Sequence, residues 1–215
     1  AADYGNLRRF RIPYLMQEFT SMLYTHNVPV KVFALASLLA LGNVALAADY
    51  VIDGSGGGMH SSVSFRASHV GISSLWGRFD DISGTFSYDG ANVAASKISV
   101  KINPASINTN LEARDTHLKT ADYLDVTKFP EAGFESTHIM DAGNGKLHVM
   151  GNFTLHGVTK EISFEAVKTG EGETPFGDTR VGFEAETTVN VQDYGVNLLP
   201  NGELRLILAI EGIKQ

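Results

Sequence analysis

The sequence predicts an all-β protein: an eight-stranded antiparallel barrel with a short helical insert between the third and fourth strands. Three observations carry this. After residue 60, apolar and polar residues alternate with a period of two, the mark of strands with one buried face. Short turn signals separate the alternating runs, so sequence neighbours pair antiparallel. One dense polar segment, Arg114 to Pro130, interrupts the alternation.

The strands follow in order. Val63, Phe65 and Ala67 alternate with Ser62, Ser64 and Arg66; Ile98, Val100 and Ile102 alternate with Lys97, Ser99 and Lys101. Leu147, Val149, Gly151, Phe153 and Leu155 form the longest early run. Ile162, Phe164 and Ala166, then Val181, Phe183 and Ala185, then Leu204, Leu206, Leu208 and Ile210 complete the strong ones. Two weaker segments, residues 77–88 and 133–142, bring the count to eight. Tyr88-Asp89-Gly90, Ala142-Gly143-Asn144-Gly145-Lys146 and His156-Gly157-Val158-Thr159-Lys160 supply turns. Eight meandering strands close into a barrel whose interior holds side chains or one small ligand; the same pattern also allows a two-sheet sandwich.

Two segments break the period. Residues 69–76 (HVGISSLW) read as a helical turn. Residues 110–125 read as a helix capped by Asn110, with Glu112 in its first turn and Lys119 near its end. Its i, i+7 spacing lays Leu111 and Leu118 on one face, and Phe129-Pro130 ends the excursion. The patch Gly54-Ser55-Gly56-Gly57-Gly58 lacks the lysine and following helix of a phosphate loop and reads as linker.

Composition bounds the role. Residues 32–47 (VFALASLLALGNVALA) follow Lys31 and end in Ala-Leu-Ala, as a secretory signal with its cleavage site does. The stretch is shorter than the roughly 20 residues a membrane span needs, though an uncleaved anchor or buried helix has similar composition. We expect residues 1–21 to be an extra N-terminal segment, 22–47 the signal peptide and 48–215 one barrel domain exported to the periplasm. That domain carries 13 basic and 22 acidic side chains, net −9. Such a charge disfavours nucleic acid and anionic bilayer surfaces. The chain has no cysteine, which excludes thiol nucleophiles and thiolate metal sites.

Chemistry centres on the insert. Arg114, Asp115 and His117 put a base, an acid and an imidazole within four residues, and His156 adds an imidazole on a turn. No nucleophile accompanies them, and residues two apart on a helix do not face each other. They are therefore candidate cap or head-group contacts, and we assign no catalytic residue. His60, His69, His138, His148 and His156 show no paired ligand spacing, so we assign no metal site.

Four segments in order carry a family resemblance: HSSVSFRASHV (60–70), GRFDDISGTF (77–86), SINTNLEARDTHLKTADYLDVTKFPEAGFEST (106–137) and GNFTLHGVTKEISF (151–164). Together they resemble the YceI-like, polyisoprenoid-binding family of exported bacterial proteins, over essentially the whole of residues 48–215. The resemblance implies a lipocalin-like barrel, a periplasmic location and an apolar tunnel for a long-chain isoprenoid or fatty amphiphile. It implies no cofactor beyond that lipid, a transient contact with membrane, and a homodimer. The candidate tunnel residues are then Phe65, Ile82, Phe86, Val100, Leu118, Tyr123, Leu124, Phe134, Phe153, Phe164, Phe183 and Leu206. Strands of about ten residues, rising roughly 3.3 Å each and tilted by about 40°, give a barrel on the order of 25 Å long. The competing reading is an enzyme or stress-related protein acting on a quinone-like head group through residues 114–117.

Overall fold

The computed structural model describes residues 47–54 and 60–215. The expected segments 1–21 and 22–47 lie outside the described residues except for Ala47, as do residues 55–59 of the glycine-rich patch. Among the described residues, no helix is long and apolar enough to cross a membrane.

Among the described residues, eleven strands form one antiparallel sheet: β1 (Ala48–Ile52), β2 (Ser62–His69), β3 (Ser73–Phe79), β4 (Ile82–Tyr88), β5 (Lys97–Ile102), β6 (Ile107–Asn108), β7 (Ala132–Gly143), β8 (Lys146–Leu155), β9 (Val158–Glu173), β10 (Thr179–Asn190) and β11 (Glu203–Lys214). One helix, α1 (Glu112–Leu118), lies between β6 and β7. The ring β1-β4-β5-β7-β8-β9-β10-β11 closes on itself through β11–β1 pairing, giving a closed eight-stranded barrel.

The three additional strands are continuations. One stretch of β11, Leu204–Ala209, pairs with β2, and its end, Gly212–Lys214, pairs with β1. β1 and β2 are thus two halves of one interrupted stave. β3 and β4 form a second such stave, and β5 and β6 a third. β1 lies outside the eight segments the alternation predicts, because its five residues offer too short a period.

The interruptions have local causes. Ser61 bridges the first: its hydroxyl donates to the Glu211 carbonyl (3.0 Å) and accepts from the Glu211 N–H (2.8 Å), replacing ladder bonds. Gly54 is a close-approach position rather than plain linker, since a Cβ there would lie 2.5 Å from the Ile82 carbonyl oxygen. Asp80-Asp81 breaks the second stave, where both backbone N–H groups turn to Ser106. Pro104 breaks the third in a tight turn, capped as the Asn103 side chain accepts from Ala105 N–H.

Asp80 anchors this belt. Its carboxylate accepts from Asn108 Nδ2 at 2.8 Å and Arg78 Nε at 2.6 Å. Partial burial alone would raise its pKa; the bonds from Asn108 and Arg78 outweigh burial and hold it below the usual carboxylate range. A carboxyl depressed on folding stabilises the fold above its unfolded value, about 3.9, and the gain is lost as pH falls through the folded value. Thermal midpoints should therefore stay level from neutral pH to about pH 5 and fall below about pH 4. Asp80→Asn should lower stability by about 1 kcal/mol at neutral pH and shallow that fall; an acid profile identical to wild type would refute the assignment.

Two sequence expectations need correction. Residues 69–76 are not a helical turn. Val70–Ile72 is a tight connection, and Ser73–Phe79 continues as a strand paired residue for residue with β2. Its alternation of Leu75, Gly77 and Phe79 against Ser74, Trp76 and Arg78 is a strand period with a glycine in an apolar place. The helix is also shorter than expected, and Asn110 does not cap it. Asn110 sits at φ +63° before the Leu111 cap position, which makes no side-chain cap bond, and Leu111 is half exposed rather than buried with Leu118. Asp115 instead reaches back to the Thr109 N–H (2.9 Å) and hydroxyl (2.5 Å), pinning the helix from its first turn.

Candidate functional site

The inward faces of the staves enclose a cavity of about 530 Å³, within the roughly 300–1,000 Å³ range of small-molecule sites. Leu204, Leu206, Leu208 and Ile210, successive inward positions of β11, all line it. They span six residue rises, on the order of 20 Å along the strand. The cavity is therefore a channel along the barrel.

Eleven of the twelve candidate tunnel residues line this channel: Phe65, Phe86, Val100, Leu118, Tyr123, Leu124, Phe134, Phe153, Phe164, Phe183 and Leu206. Ile82 does not. It is 1 % exposed and packed beneath Gly54 at the stave break, where it fills the wall. The aromatic rings pair along the channel: Phe65 with Phe79 (5.7 Å between centroids), Phe134 with Phe164 (5.3 Å) and Phe86 edge-on to Phe183 (5.9 Å).

Glycines keep these rings out of the way. Phe65 pairs across the ladder with Gly77, and a Cβ on Gly77 would lie 2.2 Å from the Phe65 Cζ. A Cβ on Gly151 would lie 2.5 Å from Cζ of Phe134. Each ring lies over a neighbouring strand's bare backbone and so folds back against the wall.

At one end, β5 and β7 pair only as far as Ile102–Ala132, while β6 turns to β3. The insert supplies the wall there. Leu118 and Leu124 are buried and Tyr123 is half-buried, all three lining the channel. Arg114 and His117 line the same end. The Arg114 guanidinium is fixed by two bonds to Thr109, from Nε to the hydroxyl (2.7 Å) and from Nη2 to the carbonyl oxygen (2.6 Å). His117 stacks edge-on with Tyr123 at 4.9 Å.

Two candidates do not reach the channel. Asp115 is consumed by Thr109. His156 occupies the β8–β9 turn at φ +51°, followed by Gly157 at +75°, the two-residue hairpin geometry that requires positive φ at both positions. Its ring lies 4.2 Å from Phe129, and Nδ1 is 3.2 Å from the Tyr194 carbonyl oxygen, while the buried Nε2 lacks a partner among the described residues. It pins the loop after β10 to this hairpin.

Sequence reasoning missed the other walls of that end. Val70 and Leu75 lie in residues 69–76, expected as a helical turn, and Phe79 in the weaker strand segment 77–88, although the period of two is present across Gly77. Val196 and Leu198–Pro200 come from the β10–β11 loop, where no periodicity could mark them.

One cluster lies outside the channel. Ligand atoms of Asp53, His60 and Glu211 lie within 4.8 Å of one another. A cation already stands among them: Arg180 Nη1 donates to Asp53 (2.7 Å) and Glu211 (2.6 Å), and its Nη2 to Asp178 (2.8 Å). Bonds to Asp178 and then Glu211 raise the Arg180 pKa above the ordinary arginine range. The cluster is an ion-pair clasp joining β10, β11 and the end of β1.

A closed antiparallel barrel with an apolar lumen and a polar-edged insert at one end defines the class: a β-barrel built around an internal channel. Residues 50–211 match the YceI-like domain, and the chain belongs to that family. It is 46 % identical over 189 residues to a UPF0312 protein of Ectopseudomonas mendocina, covering 85 % of this chain and 98 % of the relative. It is 44 % identical over 186 residues to protein YceI of Salmonella arizonae, covering 85 % and 96 %. Among solved structures, the Campylobacter jejuni YCEI protein superposes with a TM-score of 0.62 at 26 % identity, covering 69 % of this chain and 90 % of that one. A polyisoprenoid binding domain from Saccharophagus degradans, at 14 % identity, TM-score 0.57 and coverage of 79 % and 99 %, shares the fold.

Proposed function

We propose that this protein binds a long-chain isoprenoid or comparable amphiphilic lipid in the barrel channel, and carries or stores it without covalent chemistry. The observation that carries this reading is the channel itself: about 530 Å³, walled by aromatic and branched side chains along some 20 Å of β11. The Saccharophagus degradans domain of the same fold gives a precedent for the ligand class. The leader-type composition of residues 22–47 supports a periplasmic site of action. Arg114, held rigid by Thr109, and His117 are placed to meet a polar head group. Asp115, spent on Thr109, is poorly placed for acid–base work, which argues against the enzyme reading.

Energetics favour a carrier. Burying one five-carbon unit from water is worth roughly 4 kcal/mol at about 0.8 per methylene. A lipid that starts in a membrane already has its tail buried, so its net transfer is close to balanced and release is as accessible as uptake. Native mass spectrometry of protein purified from its host should show a co-purifying long-tailed lipid. Delipidated protein should then gain thermal stability on adding an isoprenoid and speed its transfer between vesicles. A bare polypeptide mass, together with no thermal shift, would sink the reading.

A further inference from the structure

The β2–β3 hairpin presents a surface that folding alone does not explain. Val70 sits at φ +48°, a conformation costly for a β-branched residue. It is 64 % exposed, Ile72 beside it is 84 % exposed, and Trp76 on the outer face is 58 % exposed. A turn chosen for stability would carry asparagine or glycine at position 70. Val70 also lines the channel, together with the partly exposed Leu198 from the β10–β11 loop, so the apolar tip borders the channel's mouth.

Charge at the hairpin departs from the rest of the chain. Residues 60–79 contain no aspartate or glutamate, although the chain as a whole has 24 acidic and 17 basic residues. The Arg66 guanidinium lies over the Trp76 ring, 5.9 Å from its centroid, and among the described residues makes no carboxylate pair of the kind Arg78 and Arg180 make. Trp76 stands four residues from Ile72, on the order of 13 Å along the strand. That is the depth order of an interfacial anchor: an aliphatic tip in the acyl boundary, and a tryptophan with a cation at the head-group level.

We infer that this hairpin docks the channel mouth on the surface of a phospholipid bilayer. Val70 and Ile72 enter the acyl boundary, and Trp76 with Arg66 meets the phosphates. The acidic net charge disfavours such a surface globally; the acid-free hairpin fixes which face approaches. The inference rests on the lipid-channel reading for its purpose, but its test does not, because the vesicles contain no isoprenoid.

Trp76 is the only tryptophan in the chain, so its fluorescence reports this surface alone. Vesicles of phosphatidylethanolamine and phosphatidylglycerol should shift its emission to shorter wavelength and co-sediment the protein. Ile72→Ser, at an exposed tip, should weaken that partitioning roughly tenfold while leaving uptake of a detergent-presented isoprenoid unchanged. Phe176→Ser, at an 87 % exposed position on the β9–β10 hairpin, should change nothing. Emission that ignores vesicles overturns the inference, as does equal loss in Phe176→Ser. A blue shift that follows protein concentration without vesicles, and disappears in Ile72→Ser, assigns the surface to a second copy of the chain and overturns it too.

Discussion

Replacing Ala166 with tryptophan is expected to abolish lipid uptake while leaving the barrel intact. Ala166 on β9 lies opposite Ala185 on β10, and both line the channel. Two small side chains thus sit together on an otherwise bulky wall, and an indole built from one of them projects into the lumen. A ring that displaces about four methylenes of a bound tail forfeits roughly 3 kcal/mol, on the order of a hundredfold in affinity. The same ring fills apolar space, so the thermal midpoint of the free protein should hold or rise. The measurement is paired: isoprenoid binding by thermal shift or vesicle transfer, and the unfolding midpoint without lipid. Full binding by a folded Ala166→Trp protein would place the ligand outside the lumen.

The inward face of the barrel was legible because a half-buried strand writes it into every second residue, while the expectation that this face walls a channel came from the family resemblance. Phe65, Val100, Phe153, Phe164, Phe183 and Leu206 could be named from that period alone, since a one-residue slip would turn each of them to solvent. Legibility failed where the backbone leaves the period. Residues 69–76 read as helical because Gly77 stands where an apolar residue belongs, and the turn carries Val70 and Ile72 in place of turn formers. Ile82 has the right period and burial but sits at the break between β3 and β4, where Gly54 from a separate segment packs over it. The loop 196–200 has no period to read. The Arg180 clasp assembles from three distant segments, and no spacing within one segment announces it.

Arg180→Ala is the second large effect, and it falls on stability. The guanidinium side chain is 17 % exposed and bonds Asp53, Asp178 and Glu211. Its removal leaves three carboxylates facing one another at the junction of β1, β10 and β11, with the His60 imidazole beside them. Removing one partner of such a network costs more than the network contributes, because the remaining charges lose their compensation. The unfolding midpoint should fall by roughly 4–8 °C. Arg180→Lys should recover only part, since an ammonium cannot reproduce the guanidinium's fork toward Asp178 and Glu211 together. Raised salt should narrow the gap by screening the exposed acids. An Arg180→Ala midpoint within a degree of wild type would mean the clasp is ornamental.

The glycines beneath the phenylalanine rings set the gauge of the bore. The three atoms nearest a Cβ on Gly77 all belong to the Phe65 ring, so a methyl group there has to displace that ring first. Gly151 also meets the Glu135 carbonyl, 2.3 Å from its would-be Cβ, so the same change there strains the backbone as well. Bore width can therefore be retuned by one atom at the first position and is locked at the second. Within the family, a relative with alanine opposite its counterpart of Phe65 should accept thinner, less branched tails on the same unchanged barrel.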